Sequence, residues 1–276
     1  MEGHNVVKIA QYRLLAYRLF MRLFIGKKKR DQLIIKNKIT YLDFLPLFFG
    51  NRIVKSNEGF KAVPRSKTHD FYLLFLSREN EIKEHLKMNS GEIFVDVGAN
   101  VGYYSLLLAK NNPDIKIISI EAHPENFKAM NKNIKINNFQ NIIAINKAVS
   151  NQSGGKIRLY EYFDENGRKF TGMFDNSNRY NAKSFREIDC DSLDNILSTN
   201  KIVYVIKIDI EGEESNALLG ATNTLKYTRK IIVEIHNDEN LQKVKQILLS
   251  NQFNIEIIKG TMTYLIGTKN VISTRQ

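Results

Sequence analysis

Cysteine is nearly absent: Cys190 is the single one in 276 residues. That excludes an internal disulfide framework and a thiolate metal cluster, and it fits a reducing, cytoplasmic compartment. Proline is scarce as well, at 4 residues, while hydrophobic residues make up 43%. A disordered chain is thereby excluded, and one α/β domain with an appendage is expected at this length. Also missing is an uncharged apolar run of about 20 residues, the minimum for a transmembrane helix. The nearest approach, NVVKIAQYRLLAYRLFMRLFIGKKKR from Asn5 to Arg30, has Lys8, Arg13, Arg18 and Arg22 inside its apolar part. A signal peptide would be charged first and apolar second; here the KKKR at 27–30 comes last.

Charge of one sign is concentrated there. Residues 1–60 hold 12 Lys and Arg against 4 Asp and Glu, which is +8 of the total +12. The other 216 residues carry about +4, ordinary for a globular domain. As a helix, residues 5–30 put Lys8, Gln11, Arg18 and Arg22 on one face, with Arg13 opposite. Two readings stand: a helix packed on its own core or on a second subunit of a homodimer, or an interfacial helix held to anionic headgroups by its cations. Residues 1–65 are expected to form this basic, mainly helical segment, and residues 66–276 the main domain.

From Gly91 a regular alternation begins. EIFVDVGA (92–99), IKIISIEA (115–122), NIIAINKAVS (141–150), VYVIKIDIEG (203–212) and KIIVEIHN (230–237) read as buried strands separated by helical stretches. FNIEIIKG and TYLIGTK close as a hairpin. Strands alternating with helices mean a parallel sheet covered on both faces, here with one antiparallel strand added near an edge. Residues 154–197 break the rhythm. They are long and polar, and an interruption of that size in a compact α/β domain is usually functional.

The stretch DVGANVG (96–102) ends the first strand, where open α/β sheets bind ligands. A dinucleotide fingerprint would put glycine at 98, 100 and 103; the chain has Gly98, Asn100 and Tyr103. Asp96 would oppose a pyrophosphate at the following helix, and no G-K-[ST] follows to make a P-loop. S-adenosylmethionine meets the pattern better, since it carries a sulfonium and an ammonium and no phosphate. Gly98 and Gly102 allow close backbone approach, Asn100 offers an amide, and Glu121, at the end of the second strand, can accept from ribose hydroxyls.

These motifs, with ISIEAHPENF, KAVSNQSG, DCDSLDNIL, VIKIDIEGEESNALLGA and IIVEIH, resemble the FkbM family of methyltransferases in order and spacing over roughly residues 70–268. The resemblance implies a class I, Rossmann-like methyltransferase fold: a seven-stranded, mostly parallel sheet with an antiparallel last strand. It implies S-adenosylmethionine as cofactor and transfer to an oxygen of a sugar, polyketide or other small molecule. It assigns cofactor contact to Asp96, Gly98, Asn100, Gly102 and Glu121, and places the adenine near Ala148 and the loop from Ser150. The insertion 161–184 has no counterpart in the pattern.

Methyl transfer to a hydroxyl needs positioning and a proton acceptor. Asp209 at the end of the fourth strand, Glu211, and the pair Glu234 and His236 on one face of the fifth are the candidates, with Glu234 able to orient or pair with Lys207. His236 has the ordinary pKa closest to neutrality. A cation held by Asp209, Glu211 and His236 has suitable donors, but the spacing is generic and no resident metal is expected. His69, His85 and His123 are expected as surface or capping residues. The insertion is expected to wall the acceptor, with Tyr162, Arg168, Lys169, Phe170, Arg179 and Tyr180 as contacts. A small-molecule or glycan acceptor is favoured over nucleic acid. Base N-methylation would ask for an Asn/Asp-Pro-Pro-aromatic loop where this chain has DIEG (209–212), and Cys190 is misplaced for cytosine C5 chemistry. RNA methylation and a non-catalytic membrane-surface protein keeping only the fold are the alternatives.

Overall fold

The computed structural model describes residues 51–271 except 57, 66–67, 76–79, 164–168, 175–183, 199–201 and 261. The helix read at 5–30 lies outside the described residues, and so do the side chains of the insertion from 161 to 184. The chain divides into two compact units, residues 1–77 with 164–169, and residues 78–163 with 170–276. Among the described residues no helix is long and apolar enough to cross a membrane.

In the first unit, β1 (Val54–Lys55) and β2 (Lys61–Ala62) pair antiparallel and are followed by the short helix α1 (Asp70–Phe75). Asp70 stands in the first turn, where an acid is favoured by the helix dipole. It accepts from the Arg65 guanidinium at 2.7 and 2.8 Å and from the Arg65 amide at 2.9 Å.

In the second unit, α2 (Asn80–Lys83) runs into a 3₁₀ turn at Glu84–Leu86. The alternation then appears as β3 (Ile93–Val97), α3 (Tyr103–Asn111), β4 (Lys116–Ile120), α4 (Pro124–Ile136) and β5 (Ile142–Ile145). After an excursion come α5 (Leu193–Leu197), β10 (Val203–Ile208), α6 (Glu214–Leu219), α7 (Thr222–Lys226), β11 (Thr228–Ile235) and α8 (Asp238–Ser250). The hairpin β12 (Asn254–Lys259) and β13 (Thr263–Thr268) closes the chain. Seven strands form one sheet in the order β12-β13-β11-β10-β3-β4-β5. The last strand in the sequence, β13, is antiparallel to both neighbours, and the rest run one way. This is the class I, Rossmann-like methyltransferase sheet expected from the sequence. β3 is buried at every position, as β-branched and aromatic residues require when helices cover both faces.

The excursion builds a second sheet, β6-β9-β7-β8, from β6 (Ala148–Val149), β7 (Lys156–Phe163), β8 (Lys169–Phe174) and β9 (Ser184–Asp191). Its inner face carries Ala148, Leu159, Ile188 and Cys190. The single strand expected over 141–150 is therefore two. Asn146 turns the chain between them, its amide donating to the carbonyls of Glu121 and Ala122 at 2.8 and 3.0 Å. The helical stretch expected between VYVIKIDIEG and KIIVEIHN is also broken, at Gly220, into α6 and α7. A Cβ there would lie 2.1 Å from the Ser150 carbonyl oxygen, so the backbones meet where a side chain cannot fit.

Strand order reverses between β3 and β10, with β4 on one side and β11 on the other. The crevice beyond their carboxyl ends is the switch point where such sheets bind ligands.

Candidate active site

One wall of the crevice is the turn from β3 to α3. Gly98 has φ +81°, and a Cβ built there would stand 1.9 Å from the Asp209 carbonyl oxygen. The turn after β3 and the turn after β10 are thus packed backbone to backbone, also joined by the Asp209 amide donating to the Val97 carbonyl at 3.0 Å. Asn100 takes φ +51°, and its amide donates to Glu121 at 2.8 Å. The second Glu121 oxygen accepts from the His123 amide at 2.7 Å. Burial raises the Glu121 carboxyl to about 7, against the pull of these two amides and of Asn126. His123 is fully buried and caps α4, as expected for a capping residue, its Nδ1 accepting from the Glu125 amide at 3.2 Å.

Of the residues expected to touch a cofactor, Gly98, Asn100, Glu121 and Ala148 line this crevice. Asp96, Gly102 and Ser150 do not. Asp96 is buried under the turn, its Oδ2 accepting from Ser105 at 2.6 Å; the Ser105 and Ser119 hydroxyls lie 2.7 Å apart. Burial raises the Asp96 carboxyl despite Lys207 and Ser105. Gly102 faces Met130 of α4, and Ser150 accepts from the Gln152 amide at 3.1 Å. Motif spacing could not separate these residues from the lining ones, because all stand at strand or turn ends. Leu159 and Asn126 also line the crevice, and no sequence pattern marked them. Lys147 lines it too, but its ammonium is held by Asp191 at 2.8 Å.

The opposite wall follows β10 and β11. β10 stops at Ile208, so Asp209 and Glu211 belong to a turn and do not share a strand face. They converge because Glu211 takes φ +59° and Gly212 φ +111°. Glu214, fully buried, accepts from the amides of Ile210 and Gly212 at 3.2 and 3.0 Å and from the Asn240 side chain. It thereby ties the turn to α8. Asp209 Oδ2 accepts from Lys207 at 3.1 Å. Lys207 is 2% exposed, and its ammonium lies 4.7 Å from the centre of the Tyr104 ring. His236 completes the group: Nε2 is 3.5 Å from Asp209 and 3.6 Å from Glu214, and Nδ1 is 3.6 Å from Glu211. Glu234 is buried on β11 beside them. All four residues expected to move the proton are therefore brought together, with Lys207 and Glu214.

Charge in this wall is strongly coupled. Burial works against an ionised Asp209, but Lys207 and His236 outweigh it and hold the carboxyl well below the usual range. Burial raises Glu211 and Glu214. Burial also opposes a charged His236, yet Asp209, Glu211 and Glu214 prevail and lift it to about 9. Displaced titrations of this kind cluster at functional sites.

The model of the methyltransferase FkbM domain matches residues 96–255, which contain both walls. The chain belongs to the FkbM methyltransferase family. A hexuronic acid methyltransferase of Haloferax volcanii, AglP, is 23% identical over 170 residues, 61% of this chain and 66% of its own length. This FkbM chain is also similar to a precorrin-6y C5,15-methyltransferase from Geobacter metallireducens, at 13% identity and TM-score 0.46, covering 71% of this chain and 90% of that one. M. jannaschii TYW2, solved with AdoMet, is 14% identical at TM-score 0.43, covering 79% and 84%.

Proposed function

We propose that this FkbM-family protein transfers the methyl group of S-adenosylmethionine to a hydroxyl of a sugar, glycan or other small molecule. The observation that carries the reading is the pairing of the two walls. One offers backbone and the single carboxylate of Glu121; the other crowds carboxylates around His236. Among the described lining residues Lys147 is already paired, so a pyrophosphate has no free cation to meet. A sulfonium and an ammonium suit the same walls. From its strand end Glu121 can accept from ribose hydroxyls, Gly98 and Asn100 can present close backbone, and Ala148 can offer an apolar surface to a base. The named acceptor of the Haloferax relative is a sugar acid, which supports a sugar here.

In the reaction, an acceptor oxygen lone pair forms the new bond to the methyl carbon. The carbon–sulfur bond breaks with its electron pair left on sulfur, giving S-adenosylhomocysteine. The acceptor proton passes to the group of Asp209, Glu211, Glu234 and His236. Lys207 and Glu214 act through that group, by orienting Asp209 and bracing the turn. Peripheral membrane contact or dimer contact through residues 5–30 and an acceptor wall at 161–184 belong to the same proposal and are tested by deletion.

Calorimetry with S-adenosylmethionine, followed by labelled-methyl transfer to a panel of nucleotide sugars, lipid-linked glycans and RNA, tests the reading. Binding with transfer to a sugar is expected. Absence of cofactor binding by folded protein, or transfer to RNA alone, overturns it.

A further inference from the structure

We infer that Asp209, Glu234 and His236 form a binding site for one divalent cation of the Mg²⁺ or Mn²⁺ kind. This departs from the expectation of no resident metal, and it exchanges Glu211 for Glu234 in the set considered from sequence. The reason is the sheet. β10 and β11 are parallel neighbours with Ile208 opposite Val233, so Asp209 comes level with Glu234, and His236 follows just past the strand end.

One donor atom from each of the three residues lies within 4.8 Å of the other two. Around a cation with bonds of about 2.1 Å, adjacent ligand atoms sit about 3 Å apart and opposite ones about 4.2 Å. Donor atoms as far apart as 4.8 Å would close by about 0.6 Å to stand opposite each other and by up to about 1.8 Å to stand adjacent. Two details favour an ion over direct pairing. His236 Nε2 is buried and has no hydrogen-bond partner, and its distances of 3.5 Å to Asp209 and 3.6 Å to Glu214 exceed hydrogen-bond length. Asp209 is also turned the right way: Lys207 takes Oδ2, leaving Oδ1 toward the imidazole. A buried partner that orients a ligating carboxylate is the usual outer layer of a metal site.

The charge balance agrees. The carboxyl groups of Asp209, Glu211, Glu214 and Glu234 stand around one ammonium, Lys207, and one imidazole, His236, whose proton a bound cation would replace. Glu214 spends its oxygens on two amides and Asn240, so it contributes charge and no ligand bond. Carboxylates with one imidazole suit Mn²⁺ or Mg²⁺ with water completing the shell.

The ion's role rests on the methyl-transfer reading; its binding does not. A coordinated acceptor hydroxyl is acidified. Its proton goes to Glu211, whose side chain is 43% exposed at the mouth, while the oxygen lone pair bonds to the methyl carbon and the carbon–sulfur pair stays on sulfur.

The test is titration of Mn²⁺ into the full chain, followed by the loss of the free-ion paramagnetic signal, with S-adenosylmethionine affinity measured in parallel by calorimetry. One ion per chain is expected, weakened about tenfold or more in Asp209→Asn and in His236→Gln, and unchanged in the distant His85→Ala. Circular dichroism and retained cofactor binding establish that each variant is folded. A folded wild-type chain that binds the cofactor and takes up no Mn²⁺ at millimolar concentration overturns the site, as does equal Mn²⁺ binding by both variants. Mn²⁺ binding without cofactor binding leaves the site standing and strikes the methyltransferase reading instead.

Discussion

The two walls of the crevice stand at equivalent places, the carboxyl ends of adjacent parallel strands, and are built on opposite principles. The β3 wall is shape. Gly98 lets two backbones touch, Asn100 adopts a left-handed conformation, and the charge present is one carboxylate, Glu121, braced by two amides. The β10–β11 wall is charge. Its turn is held by the buried Glu214, and Asp209, Glu211, Glu234, Lys207 and His236 crowd within reach of one another. A ligand that must only be recognised can be met by rigid backbone at little electrostatic cost. A proton that must be moved requires groups whose ionisation is finely balanced, and these are expensive to bury.

The largest effect is expected where the walls touch. Gly98→Ala puts a methyl into the Asp209 carbonyl and forces a non-glycine residue to φ +81°. Unfolding in denaturant should show a loss of about 3 kcal/mol or more, with cofactor binding abolished. A stable variant with normal affinity would mean that the walls are not mechanically joined.

Next come the variants that separate the principles. Asp209→Asn and His236→Ala should lower methyl transfer by about 10²-fold or more, with the cofactor dissociation constant moving less than about threefold. Equal losses in both quantities would make one wall of two.

Glu121 gives the converse and is sensitive to pH. Its carboxyl is raised to about 7, so ribose hydroxyls meet an ionised acceptor only above that pH. Affinity for S-adenosylmethionine should rise by about tenfold between pH 6 and 8, and the Glu121→Gln variant should show a flat, weaker profile. For the unliganded fold the sign is opposite. A raised carboxyl contributes stability that is complete below about 4.5 and lost as pH rises through about 7, up to about 3 kcal/mol. Denaturation of Glu121→Gln at pH 8 should therefore show equal or greater stability than wild type. A loss there would mean that the burial penalty on the ionised carboxyl is small.

Arg186→Ala is the smallest change. Its pair with Glu125 spans 3.4 Å between half-exposed side chains, and the unfolding free energy measured in denaturant should change by less than about 0.5 kcal/mol.

The alternation from Gly91 onward made the sheet legible, because buried parallel strands are apolar on both faces and leave little ambiguity with helices. Even the antiparallel closing strand followed from its hairpin. The division at Asn146 was not legible: NIIAINKAVS is apolar throughout, and a side-chain amide bonding to carbonyls 24 and 25 residues away decides where one sheet ends. The break at Gly220 has the same character, since the obstructing carbonyl belongs to Ser150. In the site, strand ends pointed to Glu121, Asp209 and His236. They could not tell that Asp96, Gly102 and Ser150 lie off the crevice, or that Glu214 braces a turn.

By itself, then, the order of apolar runs and turn residues determined the class of fold, the end of the sheet that carries the site and the residue types gathered there, because those depend on local periodicity and short connections. Which oxygen faces which nitrogen, how far each group's titration is displaced and which strand stands beside β10 were decided by the tertiary structure alone. Dielectric burial and charge coupling act over a few ångströms of space between residues that the chain keeps far apart.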